Sequence, residues 1–215
     1  MGCCGNCEDE ELRFEDRKPG SLKVVNPPNF GWLEYKLHDD QIEFIWECID
    51  KKGSSYKNSL VGDIDNSFSL KDVEGRFKHS VLFPLIDSYR KKYGNYYDGG
   101  KPLVGLDFDW WVNYQKEGQY NPLHYHSGAY SFVIWMKIPT ESDEQNIDSP
   151  SGTRSNFYFN YINATGGIEK YEYRMSKKLE GCMVLFPSAL NHIVYPFYNC
   201  SEDRVSVSGN IFFER

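Results

Sequence analysis

The stretch from residue 110 to residue 139, WWVNYQKEGQYNPLHYHSGAYSFVIWMKIP, places two histidines one residue apart at the mouth of a strongly apolar run. Side chains at i and i+2 share one face of a strand, so His124 and His126 project together while Tyr125 points away. Asn121 and Pro122 interrupt the segment before them, and Ser127-Gly128 lets the chain turn back into the run from Ser131 to Ile138. Two imidazoles presented in this way form half of a transition-metal site. Taken alone, such a pair is more often a surface or core pair, so the rest of the chain has to supply the other half.

Residues 181–197, GCMVLFPSALNHIVYPF, bring His192 after an apolar strand and Pro187. That is a spacing with which a double-stranded β-helix returns a third ligand to its first two. The chain has 5 His, and His38 and His79 lie in the helical half, where they read as structural or solvated. Residues 203–213, DRVSVSGNIFF, add Arg204 with Ser206 on the same strand face; Val205 and Val207 face the other way, into core. An inward guanidinium needs an anionic partner, because an unpaired buried charge is costly. Its planar fork beside a hydroxyl matches a carboxylate. That carboxylate is either an internal Asp or Glu or an external one; the order HxH, His, RxS favours an external dicarboxylate reaching from clamp to metal. Tyr114 adds a phenol to the same carboxylate or is a core aromatic. Trp110, Trp111 and Trp135 wall the pocket or simply fill the core.

A length of 215 residues fits one domain, or one domain with a modest helical appendage. Aromatics make up 16 %, with 16 Tyr and 14 Phe, which in short β-like runs favours a sheet-rich core. A net charge of −7 gives no general footprint for nucleic acid. No run approaches the roughly 18 to 20 apolar residues of a membrane span, and the N-terminus has no apolar leader. The expected address is cytoplasmic. Of 6 Cys, three crowd into MGCCGNC and the others are scattered, so a disulfide framework is not expected. The opening admits acylation of Gly2 with palmitoylation of Cys3 and Cys4, though Asn6 departs from the usual Ser or Thr. It also admits a small metal knot, for which Cys3, Cys4 and Cys7 lack a second half; a polar tail is the simplest reading.

Residues 1–30 read as an N-terminal arm and residues 31–215 as one domain, with helical support over about 38–95 and a β core over about 103–215. Asp39 or Asp40 can cap a helix running to Lys52, with Ile42, Ile45, Trp46 and Ile49 as its apolar stripe. Over about 70–93, Val81, Leu82, Leu85, Ile86 and Tyr89 form a second stripe, and Pro84 should restart or kink that helix. Strands are predicted near 103–115, 129–138, 155–162, 169–175, 182–187, 192–197 and 204–213, with a polar loop from Thr140 to Thr153. The class is α+β, mainly β, a sandwich or barrel with helices on one sheet.

The segments WVNYQKEGQYNPLHYHSG, SFVIWMKIP, EGCMVLFPSALNHIVYPF and RVSVSGNIFF together resemble the Fe(II)- and 2-oxoglutarate-dependent dioxygenases, closest to the prolyl-hydroxylase-like branch of marine bacteria and phages. The resemblance implies a double-stranded β-helix, the jelly-roll or cupin-like barrel. It makes His124 and His192 iron ligands, with His126 where the family carries a carboxylate. It gives Arg204 and Ser206 the far carboxylate of 2-oxoglutarate, matches Tyr114 to a tyrosine one strand earlier, and matches Asn210 to a recurrent polar residue of unassigned role. The implied cofactors are Fe(II), 2-oxoglutarate and O2. The implied reaction is hydroxylation of a small-molecule or peptide substrate, with 2-oxoglutarate converted to succinate and CO2. A different register makes His126 the first ligand and Gly128 a blank position, as in related halogenases. Two other readings stay open: a three-His cupin-type metal enzyme that does not use 2-oxoglutarate, and a catalytically degenerate jelly roll that binds a ligand or partner. Nothing in the sequence fixes the oligomeric state.

Overall fold

A computed structural model describes residues 30–213. The arm read over residues 1–30, with its cysteine-rich opening, lies outside the described residues except for Phe30. Ten strands form two antiparallel sheets. The larger sheet is made of β1 (Leu33–Lys36), β2 (Asn66–Ser69), β3 (Leu106–Gln115), β5 (Tyr130–Lys137), β8 (Cys182–Pro187) and β10 (Arg204–Phe213), in the order β1-β8-β5-β10-β3-β2. The smaller contains β4 (Asn121–His124), β6 (Phe157–Ile162), β7 (Ile168–Tyr173) and β9 (Asn191–Val194), in the order β4-β9-β6-β7. This is a double-stranded β-helix, mainly β, with helices laid on the outside of the large sheet.

Alternation along the central strands builds two separate cores. Phe132, Ile134 and Met136 of β5, Met183 and Leu185 of β8, and Val205 and Val207 of β10 face the helices. Val133, Trp135, Val184 and Phe186 face the small sheet and meet Phe157, Phe159 and Tyr173. The near-continuous apolar runs of β5 and β8 are therefore strands covered on both faces.

Helix α1 (Asp39–Asp50) buries Phe44, Ile45, Cys48 and Ile49, so its stripe is centred one position away from the predicted one; Ile42 and Trp46 are only partly covered. Its N-cap is His38, not Asp39 or Asp40, and Gln41 reaches back so that its Oε1 accepts the His38 N–H at 3.0 Å. The two aspartates instead occupy the first turn, where their charge favours the helix dipole. Pro84 behaves as predicted: a wider π-helical turn, Lys78–Leu82, ends there and α2 (Phe83–Tyr93) begins with Pro in its first turn. The loop after α2 is tied to the large sheet by Asp98, whose carboxylate accepts from Arg90 Nε at 2.8 Å, the Tyr130 hydroxyl at 2.7 Å and the Gly100 N–H at 2.9 Å.

Strands β1, β2 and β4 were not predicted. Each is four residues long, too short for a period to show. Strand β4 also contains Pro122, which is tolerated because β4 is an edge strand. The predicted loop 140–153 carries one short helical turn, α3 (Ser142–Gln145). Among the described residues no helix is long and apolar enough to cross a membrane.

Candidate metal centre and anion pocket

Histidines 124 and 192 meet because β4 and β9 pair antiparallel with these two residues directly opposite each other. His126 lies just beyond the end of β4, where its backbone N–H is held by the Ser188 carbonyl at 2.8 Å. The predicted alternation holds past the strand end, since Tyr125 between them is 67 % exposed. One ring nitrogen from each histidine lies within 4.8 Å of the other two. His126 Nε2 and His192 Nε2 are 3.2 Å apart.

The protonation pattern suits a cation. His124 Nδ1 is 2.7 Å from the Pro122 carbonyl and His192 Nδ1 is 2.9 Å from the Leu190 carbonyl. A carbonyl only accepts, so in each ring Nδ1 carries the hydrogen and Nε2 keeps a free lone pair. Backbone partners of this kind orient ligating histidines. Burial holds all three rings below the usual histidine range, His126 down to about 4, and the neighbouring imidazoles push His126 and His192 further the same way. All three are neutral near pH 7. His192 Nε2 presents its lone pair 3.2 Å from His126 Nε2, which either donates its hydrogen there or, with that hydrogen on Nδ1, shares one cation with it: nitrogens about 2.1 Å from a divalent ion at right angles sit about 3.0 Å from each other. The residues present therefore fit a metal. Among the described residues the cluster contains no Asp or Glu.

Arg204, 2 % exposed, lines the same pocket as His126 and His192. Its Nη2 donates to Ser155 Oγ and its Nη1 faces Gln115 Oε1 at 3.5 Å. The guanidinium lies 4.9 Å over the Phe197 ring. Its Nε has no hydrogen-bond partner, and among the described residues no carboxylate pairs with it. Burial lowers its pKa to about 9, so it remains charged at neutral pH. The internal salt bridge considered as an alternative is thus not met here. Ser206 lines the same pocket, as do Trp111 and Trp135.

Two expectations are corrected. Tyr114 does not reach the pocket: it lies on the opposite face of β3, 6.2 Å from the Phe68 ring and beneath Lys52. Strand alternation instead turns Asn113 and Gln115 inward, with Asn113 opposite Ser206 and Gln115 opposite Arg204 in the β3–β10 register. Asn113 Oδ1 accepts from Ser67 at 2.7 Å. Trp110 likewise faces the helices, stacked 4.9 Å from Phe77. The register that leaves Gly128 as a blank ligand position also fails, because Gly128, at φ +111, packs on β10, where a Cβ would lie 2.8 Å from the Ile211 carbonyl. Missed altogether were Ser155, buried at φ +71, and the segment of Leu60, Val61 and Ile64 that walls the pocket mouth. The adjacent Trp110-Trp111 pair leaves the parity of β3 open in the sequence, and nothing in the sequence marks Ser155.

Comparison with known proteins agrees with this fold. Residues 109–210 match a family model described as "Putative 2OG-Fe(II) oxygenase". The fold is similar to a crystal structure of a Pseudomonas putida prolyl-4-hydroxylase, with TM-score 0.52 and 16 % identity, covering 86 % of this chain and 94 % of that one. It is also similar to a Trichoplax adhaerens prolyl hydroxylase in complex with a hypoxia inducible factor oxygen degradation domain peptide fragment, with TM-score 0.50 and 14 % identity, covering 86 % and 84 %. No curated protein matches the sequence. The resemblance to 2-oxoglutarate- and iron-dependent oxygenases read from the sequence is borne out by this family match and fold.

Proposed function

We propose that this chain is an Fe(II)- and 2-oxoglutarate-dependent oxygenase that hydroxylates its substrate, built as one domain over residues 31–215. The observation that carries the reading is one pocket lined by His126 and His192, to which His124 adds a third clustered imidazole, and by a buried guanidinium that no carboxylate among the described residues pairs with. Bound iron with 2-oxoglutarate and dioxygen supplies the oxidising chemistry, with succinate and CO2 as by-products.

His124, His126 and His192 hold the metal through nitrogens that burial keeps free of protons. Arg204 and Ser206 take the far carboxylate of 2-oxoglutarate, and Asn113 and Gln115 add amides beside them. Trp111, Trp135, Phe157 and Phe186 exclude water from the space between. Peptides containing proline are the first substrates to test, by likeness to the Trichoplax protein, which binds a peptide.

The test is an anaerobic titration with Fe(II) and 2-oxoglutarate. A visible charge-transfer band that needs both components supports the proposal. Iron binding without the band favours a three-His metal enzyme of another kind, which leaves Arg204 without a partner. A chain that takes up no iron is a binding protein rather than an oxygenase.

A further inference from the structure

Two fully buried serines and one amide form a hydrogen-bonded row whose side chains bond to none of the three histidines. Ser131, on β5, and Ser188, just after β8, are 1 % and 0 % exposed. Ser131 Oγ donates to Asn210 Oδ1 on β10 at 2.8 Å. Its one hydrogen is spent there, so it accepts from Ser188 Oγ at 2.9 Å. The hydrogen bonds therefore run one way, from Ser188 through Ser131 to Asn210. Burying hydroxyls in an apolar layer is unfavourable unless they are paired, and their net gain when paired is small. The row does little for stability that alanines would not.

Its end point explains where it sits. Ser188 lies in a tight turn closed by the Leu190 N–H to the Pro187 carbonyl at 2.9 Å. Two carbonyls of that turn hold two of the three histidines. The Ser188 carbonyl accepts the His126 backbone N–H at 2.8 Å, and the Leu190 carbonyl lies 2.9 Å from His192 Nδ1. The Ser188 N–H returns to the Ala129 carbonyl at 3.2 Å, closing the other side of the His126 loop. His126 has no strand of its own to fix it, since β4 ends at His124.

We infer that Ser131, Ser188 and Asn210 are positioning residues for the metal centre: they pin the 187–190 turn to β5 and β10, and through its two carbonyls set His126 and His192 at ligating separation. The inference rests on the metal reading proposed above. It assigns a task to Asn210, whose role the sequence left open.

Co(II) serves as the probe, with affinity read by calorimetry and geometry by the visible absorption of the bound ion. In the double variant S131A/S188A both buried hydroxyls go together, so neither is left unpaired, and half-buried Asn210 can turn to water. The expected result is Co(II) binding weakened about tenfold to a hundredfold with an altered visible spectrum, while the metal-free melting temperature stays close to wild type. N210A should shift affinity and spectrum the same way, and N210D, which keeps an acceptor for Ser131, should restore both. Affinity within about twofold of wild type in both the double variant and N210A overturns the inference. Should the double variant not fold, N210A against N210D decides alone. A wild-type chain that takes up no Co(II) removes the metal reading and this inference with it; a wild type that binds, with unchanged variants, removes only this one.

Discussion

Replacing Arg204 by Met should move ligand binding and metal-free stability in opposite directions. Burial lowers the guanidinium to about 9. Against an ordinary value of about 12.5 or above, and at 1.36 kcal/mol per pH unit, the charged form loses on the order of 5 kcal/mol of solvation in the fold. No carboxylate among the described residues offsets this. The sign follows from proton binding: between about 9 and 12.5 the unfolded chain holds the proton and the folded one does not, so stability rises with pH through that window. The full cost is present at pH 7. Met fills the same volume without the charge, and such replacements stabilise by about 1–4 kcal/mol. Allowing for the partners lost by Ser155 and Gln115, a gain of about 1–3 kcal/mol corresponds to a rise of about 2–12 °C for a chain of this size. If Arg204 clamps 2-oxoglutarate as proposed, the same variant should lose two charge-assisted hydrogen bonds to it, about 4 kcal/mol together, or roughly a thousandfold in Kd. Differential scanning fluorimetry of the metal-free protein and anaerobic calorimetry with 2-oxoglutarate check the two halves. A lower melting temperature together with unchanged 2-oxoglutarate affinity would show Arg204 to be a structural residue and refute the clamp.

Tyr114→Phe should leave 2-oxoglutarate affinity within about twofold, whereas Asn113→Ala should weaken it by about 1–2 kcal/mol, a contrast that one calorimetric series resolves. His126→Asp puts a carboxylate where the cluster has none, and Fe(II) binding should persist with the 2-oxoglutarate charge-transfer band intact; loss of metal in this variant would mean that position 126 faces elsewhere. Asp98→Ala leaves the Arg90 charge without its partner and should cost about 3–5 kcal/mol in chemical denaturation. Gly128→Ala forces a Cβ to 2.8 Å from the Ile211 carbonyl at φ +111, and a cost of at least about 1 kcal/mol, with weaker Co(II) binding, is expected by denaturation and calorimetry.

What the sequence carried well was the long-period information. The stripe Val81, Leu82, Leu85, Ile86, Tyr89 is buried throughout, and the seven predicted strands all exist with small shifts at their ends. The three histidines converge because HxH and the return of His192 are local consequences of strand parity and of one β4–β9 register pair. Where parity was not carried through, the reading slipped. Tyr114 was preferred for its phenol, and the adjacent pair Trp110-Trp111 left the parity of β3 open; in the fold the odd-numbered residues are inward, so Asn113 and Gln115 face the pocket instead. Strand β4 was read as a break because Pro122 removes a donor, a loss that costs little at a sheet edge. Ser155 reaches Arg204 across a sequence distance no pattern spans, and its left-handed backbone is the kind of feature only tertiary packing sets.

The pairing of His124 with His192 has a mechanical consequence. Strand β4 is short, irregular in register and flanked by another strand on one side only, so little besides a few backbone bonds keeps it on the barrel. On the proposed metal reading, an ion held by imidazoles from both strands would be a rivet through that seam. Loading it should slow amide exchange in residues 120–126 far more than in β5 or β10, so the corner that grips the metal is also the corner the metal makes rigid.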